Sequence, residues 1–125
     1  MKAFMHILSY SLALFACHSK SDIIRDFIPG RYVQYSENDM GKRHDTLHVE
    51  RMNTSGHNYR ITRTSSMQRW LDGKAFPWQY RQEVWTGIYD ENKRVVNETK
   101  RGRVIAFVPE RNILLMGTTE YKKIK

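Results

Sequence analysis

Thr46-Leu47-His48-Val49-Glu50-Arg51-Met52 alternates polar and apolar side chains from Thr46 to Glu50 and ends on Arg51-Met52. After Asn53-Thr54-Ser55-Gly56, a cluster of turn-forming residues, the alternation resumes in Asn58-Tyr59-Arg60-Ile61-Thr62-Arg63. A period of two puts every second side chain on one face, as a strand with one wet face requires. Two such runs across a Gly-containing turn predict an antiparallel hairpin.

The same rhythm extends both ways from this hairpin. Upstream, Pro29-Gly30 introduces a strand over Arg31-Tyr32-Val33-Gln34-Tyr35, and Glu37 to Arg43 reads as a loop. Downstream, Asp72-Gly73 marks a turn inside Met67 to Phe76. Trp78 to Tyr89 is a long strand, with Trp78, Tyr80, Val84 and Ile88 on one face and Trp85 and Tyr89 on the other. Short turns at Asp90 to Lys93, Lys100 to Gly102 and Pro109 to Asn112 separate Arg94 to Glu98, Val104 to Val108 and Ile113 to Met116. Gly117 precedes a last strand over Thr119 to Lys122. Val104 to Val108 and Ile113 to Met116 are apolar in both phases, which predicts a last hairpin covered on both sides. The prediction is an all-β chain, a small antiparallel up-and-down meander of seven or eight strands. Closure into a barrel removes the exposed edges, and an open sandwich is the alternative. Ser19 to Phe27 reads as a tether or a turn or two of helix.

The start of the chain has another character. Lys2 precedes an apolar run from Phe4 to Ala16, 13 residues long, which ends at Cys17, the only cysteine. A membrane span needs roughly 20 apolar residues, so the run is a signal-like leader rather than a span. Leu14-Phe15-Ala16-Cys17 resembles the lipobox of bacterial lipoproteins, with Phe15 in place of the usual small residue. That resemblance implies cleavage before Cys17 and acylation of it. The chain then divides into a signal peptide over residues 1–16, a lipidated tether over 17–28 and a β-barrel domain over 29–125. His18 to Asp22 carries neither an aspartate next to the cysteine nor the acidic pair of surface-displayed lipoproteins in Bacteroides-like bacteria. This implies the bacterial cell envelope, on the periplasmic side of the outer membrane.

Together with this leader, Gly30-x-Tyr32, the meander and the ending Tyr121-Lys122-Lys123-Ile124 resemble small lipocalin-like lipoproteins of Bacteroides-type bacteria. The resemblance implies a lipocalin-like barrel, a lipid anchor and a gene beside a mobile element. It carries over no catalytic residue.

With Cys17 lipidated no thiol is left for a disulfide, so the core alone must hold the fold. Seven Tyr, five Phe and three Trp supply its area. The net charge is +8, and residues 100–125 hold seven basic and two acidic side chains, a local net of +5. Such a surface suits an anionic glycan, anionic lipid headgroups, nucleic acid or an acidic patch on an envelope protein. Lys122, Lys123 and Lys125, at the chain end, are expected to serve such contacts and not the folding of the domain.

No catalytic constellation is present: there is no Gly-x-Ser-x-Gly, and Ser65-Ser66 has no recognisable partner. The chain reads as a non-enzyme without a cofactor. His44 and His48 lie about 13 Å apart if extended, too far to share a metal. Arg63 follows Tyr59 and Ile61 in the inward phase, so its guanidinium needs a carboxylate, with Glu83, Glu98 and Glu120 as candidates. It is either an anchor for an acidic ligand or one half of a salt bridge. Trp70, Phe76, Trp78, Tyr80 and Trp85 gather around the Asp72-Gly73 turn in sequence. They are either core or contacts for a ligand or partner. The functional expectation is a lipid-anchored binding or interaction module. The alternative is a lipocalin-type carrier of a small apolar or acidic ligand. A nucleic-acid-binding barrel is the third reading, and the leader argues against it.

Overall fold

A computed structural model describes residues 20–52 and 56–125. Cys17 and the leader lie outside the described residues. The described residues begin with one helix, α1 (Lys20–Phe27), and continue as strands. These are β1 (Gly30–Asn38), β2 (Gly41–Arg51), β3 (Asn58–Leu71), β4 (Lys74–Ala75), β5 (Gln79–Asp90), β6 (Val95–Glu98), β7 (Val104–Val108), β8 (Ile113–Met116) and β9 (Thr119–Lys123). A 3-10 turn, Pro109–Arg111, joins β7 to β8. No described helix is long and apolar enough to cross a membrane.

All the pairings are antiparallel, and β9 returns to β1 at Tyr32 and Val33, so eight strands close into an up-and-down barrel. β4 stands outside the ring and pairs only with the end of β3. The β3–β4 hairpin turns at Asp72 and Gly73, both at positive φ (51° and 77°), the backbone that a two-residue hairpin loop demands.

Three strands are longer than the alternation of apolar residues indicates. The loop expected from Glu37 to Arg43 is ladder instead: Glu37 pairs with Lys42 and Asn38 with Gly41, leaving only Asp39 and Met40 to turn. β3 runs on through Ser65, Met67 and Arg69, in register with β2 as far as Gly41. A ladder satisfies backbone groups whatever the side chains are, so polar residues extend a strand where a neighbour is available.

Inward-facing residues from all round the barrel meet in one core, including Tyr32, Leu47, Tyr59, Ile61, Trp85, Tyr89, Val96, Ile105, Phe107, Leu114 and Tyr121. α1 closes one end. Ile24 and Phe27 pack against the core, and Ile28 is fully buried. The Tyr32 hydroxyl donates to the carbonyls of Phe27 (2.9 Å) and Ile28 (2.8 Å), tying the helix exit to β1. The rings of Phe27, Tyr32 and Phe107 meet edge to face, 5.8 to 6.5 Å apart. Gly87 sits where a Cβ would come within 2.5 Å of a Val96 methyl, so a larger residue there would push β6 off β5.

The structure changes two expectations about the C-terminal part. Lys123 belongs to the fold: its ammonium lies 4.2 Å from the Phe27 ring and donates to the Phe27 carbonyl, and burial lowers its pKa. The chain end is also tied down, since Arg31 N–H donates to the Lys125 carbonyl at 3.1 Å. The β7–β8 hairpin is covered on both sides only in part: Ile105, Phe107 and Leu114 face the core, and on the outer face Ile113 is buried whereas Val104 is 52% exposed. Closure explains this: a barrel strand has one inside, and no helix lies over that hairpin's outer residue Val104.

Candidate functional site

The end opposite α1 is built differently. β6 pairs with β5 only from Gly87 onward, and β9 pairs with β1 only at Tyr32 and Val33. Beyond those points β1, β2, β3 and β5 rise as an open curved wall. Strand alternation decides what lines its concave side. Leu47 and Val49 face the core, so Asp45 and Arg43 continue the same face of β2. On β3, Ile61 is followed by Arg63, Ser65 and Met67. On β5, Trp85 is preceded by Glu83, Arg81 and Gln79. The interior thus passes from apolar at the α1 end to arginine-rich at the mouth. There it forms a cleft of about 310 Å³ lined by Arg43, Arg63, Ser65, Met67, Arg81 and Glu83, with Gln79 and Tyr80 at its rim.

The floor of this mouth is a fixed ion pair. Asp45 is only 2% exposed. Arg63 grips it through Nε (3.0 Å to Oδ1) and Nη2 (2.6 Å to Oδ2). Ser65 Oγ donates to Oδ1 at 3.0 Å and the Tyr121 hydroxyl donates to Oδ2 at 2.8 Å. Burial pushes the Asp45 pKa up, but the hydrogen bonds from Arg63, Tyr121 and Ser65 and the Arg63 charge outweigh it, so the net shift is downward. Burial, and then the same carboxylate, raise the Tyr121 pKa, which keeps the hydroxyl a donor.

Beneath this pair lies Trp85, 2% exposed. The Arg103 guanidinium lies over its ring at 4.2 Å and that of Arg63 at 5.8 Å. Its indole N–H donates to Glu83 Oε2 at 3.2 Å, the first cause of a lowered Glu83 pKa, with Arg101, Arg63 and Arg81 adding to it. The buried Glu98 carboxylate is occupied by the backbone N–H groups of Lys100 and Arg101 and lies 3.9 Å from Arg103. Arg43 and Arg81 stand exposed above, and neither ion-pairs with a carboxylate among the described residues.

No family model, curated protein or solved structure matches the chain. The site therefore has to be read from its own chemistry.

Arg63 does point inward, as its phase predicts. Its partner is Asp45, however, and not Glu83, Glu98 or Glu120. Asp45 lies just before the strand start expected at Thr46; carrying the phase of Leu47 back by two residues gives Asp45, and by four gives Arg43. Glu120 is on the outside, bonded to Arg111 at 3.0 Å. The five aromatics do not form one group. Trp85 faces the core, whereas Tyr80 is 75% exposed on the outer face of the same strand. Trp70 lies under the Lys42 ammonium (5.4 Å) and bonds Gln68. Trp78 is 6.0 Å from His44, which lies 4.5 Å from Tyr35. Phe76 helps line a separate apolar recess with Met40, Leu71 and Pro77. Sequence proximity to the turn does not survive an alternation that sends neighbours to opposite faces. Among the described residues, no three His, Cys, Asp or Glu side chains are grouped as a metal site.

Proposed function

We propose that the chain is a lipid-anchored, non-catalytic binding module of the bacterial envelope, whose open barrel mouth takes a small anionic ligand. The observation that carries this reading is the pair Arg43 and Arg81, facing one cleft without carboxylate partners, above an Arg63 already held by Asp45. A guanidinium offers a planar fork of donors that matches carboxylate, phosphate or sulfate groups. The cleft volume of about 310 Å³ is that of a small-ligand site. An apolar cargo deep in the barrel is disfavoured, because Trp85, Tyr59, Tyr32 and Tyr121 occupy the interior.

Citrate and sulfate are suitable probes, titrated calorimetrically at low salt. A hydrogen bond to a charged group is worth about 1.5–3 kcal/mol. Arg43→Gln with Arg81→Gln is therefore expected to weaken citrate binding by more than about tenfold. Both side chains are exposed, so the melting temperature stays near that of the parent. Absence of salt-sensitive binding of either anion to the parent chain would refute the ligand reading.

The anchor rests on Cys17. α1 begins three residues after it, so acylation would hold the α1 end towards the bilayer and turn the mouth away from it. Cells fed a labelled fatty acid are expected to label the parent chain, and Cys17→Ser is expected to lose both label and membrane association. Retention of label by Cys17→Ser would remove the lipoprotein reading.

A further inference from the structure

The long strand β5 has a neighbour on one side only for most of its length. It pairs with β3 from Gln79 to Ile88, but with β6 only from Gly87. Backbone groups of alternate residues face opposite sides of a strand. The Thr86 carbonyl accepts from Thr99 N–H at 2.9 Å on the β6 side, while Tyr89 N–H donates to the His57 carbonyl at 2.8 Å on the β3 side. Tyr80, Gln82 and Val84 share the phase of Thr86. Their N–H and C=O groups face the open side and have no backbone partner among the described residues. Pro77 bounds this free edge at one end and the Thr86–Thr99 contact at the other. Open edges of this length template pairing with another strand.

The side chains name the partner. The free window from Gln79 to Trp85 is centred on Gln82. If a second β5 runs antiparallel to the first about that centre, Gln82 meets Gln82 of the other copy as a hydrogen-bonded pair. Tyr80 then lies opposite Val84, an aromatic against a β-branched residue, once on each side of the twofold axis. Arg81 lies opposite Glu83, also twice, in the closer, non-hydrogen-bonded positions. A slip of two residues either way sets Arg81 against Arg81 or Glu83 against Glu83. The charges thus permit one register and oppose its neighbours. Tyr80 and Val84, 75% and 55% exposed on the outer face, would each gain cover. Arg81, without an ion pair in the monomer, would gain one. An acidic peptide on the same edge would satisfy Arg81 but repel Glu83, so a second copy is the better complement.

We infer that the free edge of β5 joins two copies of this chain through an antiparallel, twofold pairing centred on Gln82. This extends beyond the anion-binding reading and does not rest on it, but Arg81 serves both, so the sedimentation is run without citrate or sulfate. The test uses the full chain extracted in detergent and followed by sedimentation. The parent is expected to dimerise. Arg81→Glu alone and Glu83→Arg alone each place like charges opposite one another twice, and each is expected to raise the dimer dissociation constant by at least about tenfold. The double exchange, Arg81→Glu with Glu83→Arg, is expected to restore the dimer, which a merely structural role for these residues would not do. In whole cells, Gln82→Cys is expected to give a disulfide-linked dimer, since a hydrogen-bonded pair places Cα atoms about 5.5 Å apart, within disulfide range. Thr64→Cys on β3, paired on both sides, is expected to give none. A parent monomeric throughout, a double exchange that stays monomeric, or Gln82→Cys bonding only to other proteins would each overturn the inference.

Discussion

Asp45→Ala is expected to lower the melting temperature by on the order of 15 °C. The carboxylate is 2% exposed and accepts five charge-assisted hydrogen bonds, three from Arg63 and one each from Ser65 and Tyr121. Its removal leaves the Arg63 guanidinium without its anion and the Tyr121 hydroxyl without an acceptor inside the barrel. Breaking one partner of a buried pair costs about 3–5 kcal/mol. In a domain of this size each kcal/mol moves the transition by about 4–8 °C. Tyr121→Phe, which removes one neutral donor, is expected to cost only about 1 kcal/mol. Thermal unfolding followed by circular dichroism checks both. A transition within a few degrees of the parent for Asp45→Ala would show that the ion pair is dispensable.

The same residue sets an acid limb. The folded-state pKa of Asp45 lies below its unfolded value, so its contribution is complete above the ordinary carboxylate range of about 3.9. It is lost as the pH falls from there through the lower, folded value. The parent is therefore expected to lose stability more steeply than Asp45→Ala below about pH 4.

Trp85→Ala is the second large effect, about 3–5 kcal/mol, read as a lowered urea midpoint. The ring is among the largest fully buried side chains, and its loss opens a cavity beneath the mouth. It also removes the face on which Arg103 lies and the donor to Glu83. Trp85→Phe keeps much of the volume and the aromatic face, and is expected to recover more than half of the loss. A loss below about 1 kcal/mol for Trp85→Ala would mean that the core closes over the gap and that the ring serves contact rather than packing.

The all-β architecture is legible in the order of residues. Thr46 to Glu50 and Asn58 to Arg63 alternate, Asp72-Gly73 marks a turn, and Val104 to Val108 with Ile113 to Met116 have the strand bounds seen in the structure. Local rules suffice there, because period-two burial and turn residues act within a few positions of the chain. The inward direction of Arg63 is legible for the same reason. Its partner is not, since Asp45 is 18 residues away and its place depends on the β2–β3 register. The polar extensions of β1, β2 and β3 are equally silent in the sequence, because they are held by a neighbour's backbone rather than by their own side chains. The split of the aromatics between core and outer face follows from closure, which gives every strand an inside. So does the gathering of Arg43, Arg63 and Arg81 from three strands at one mouth. Sequence determined which segments are strands and which way each side chain alternates; only the closed barrel, with strands of unequal length, decided which residues meet and which edge of β5 stays open.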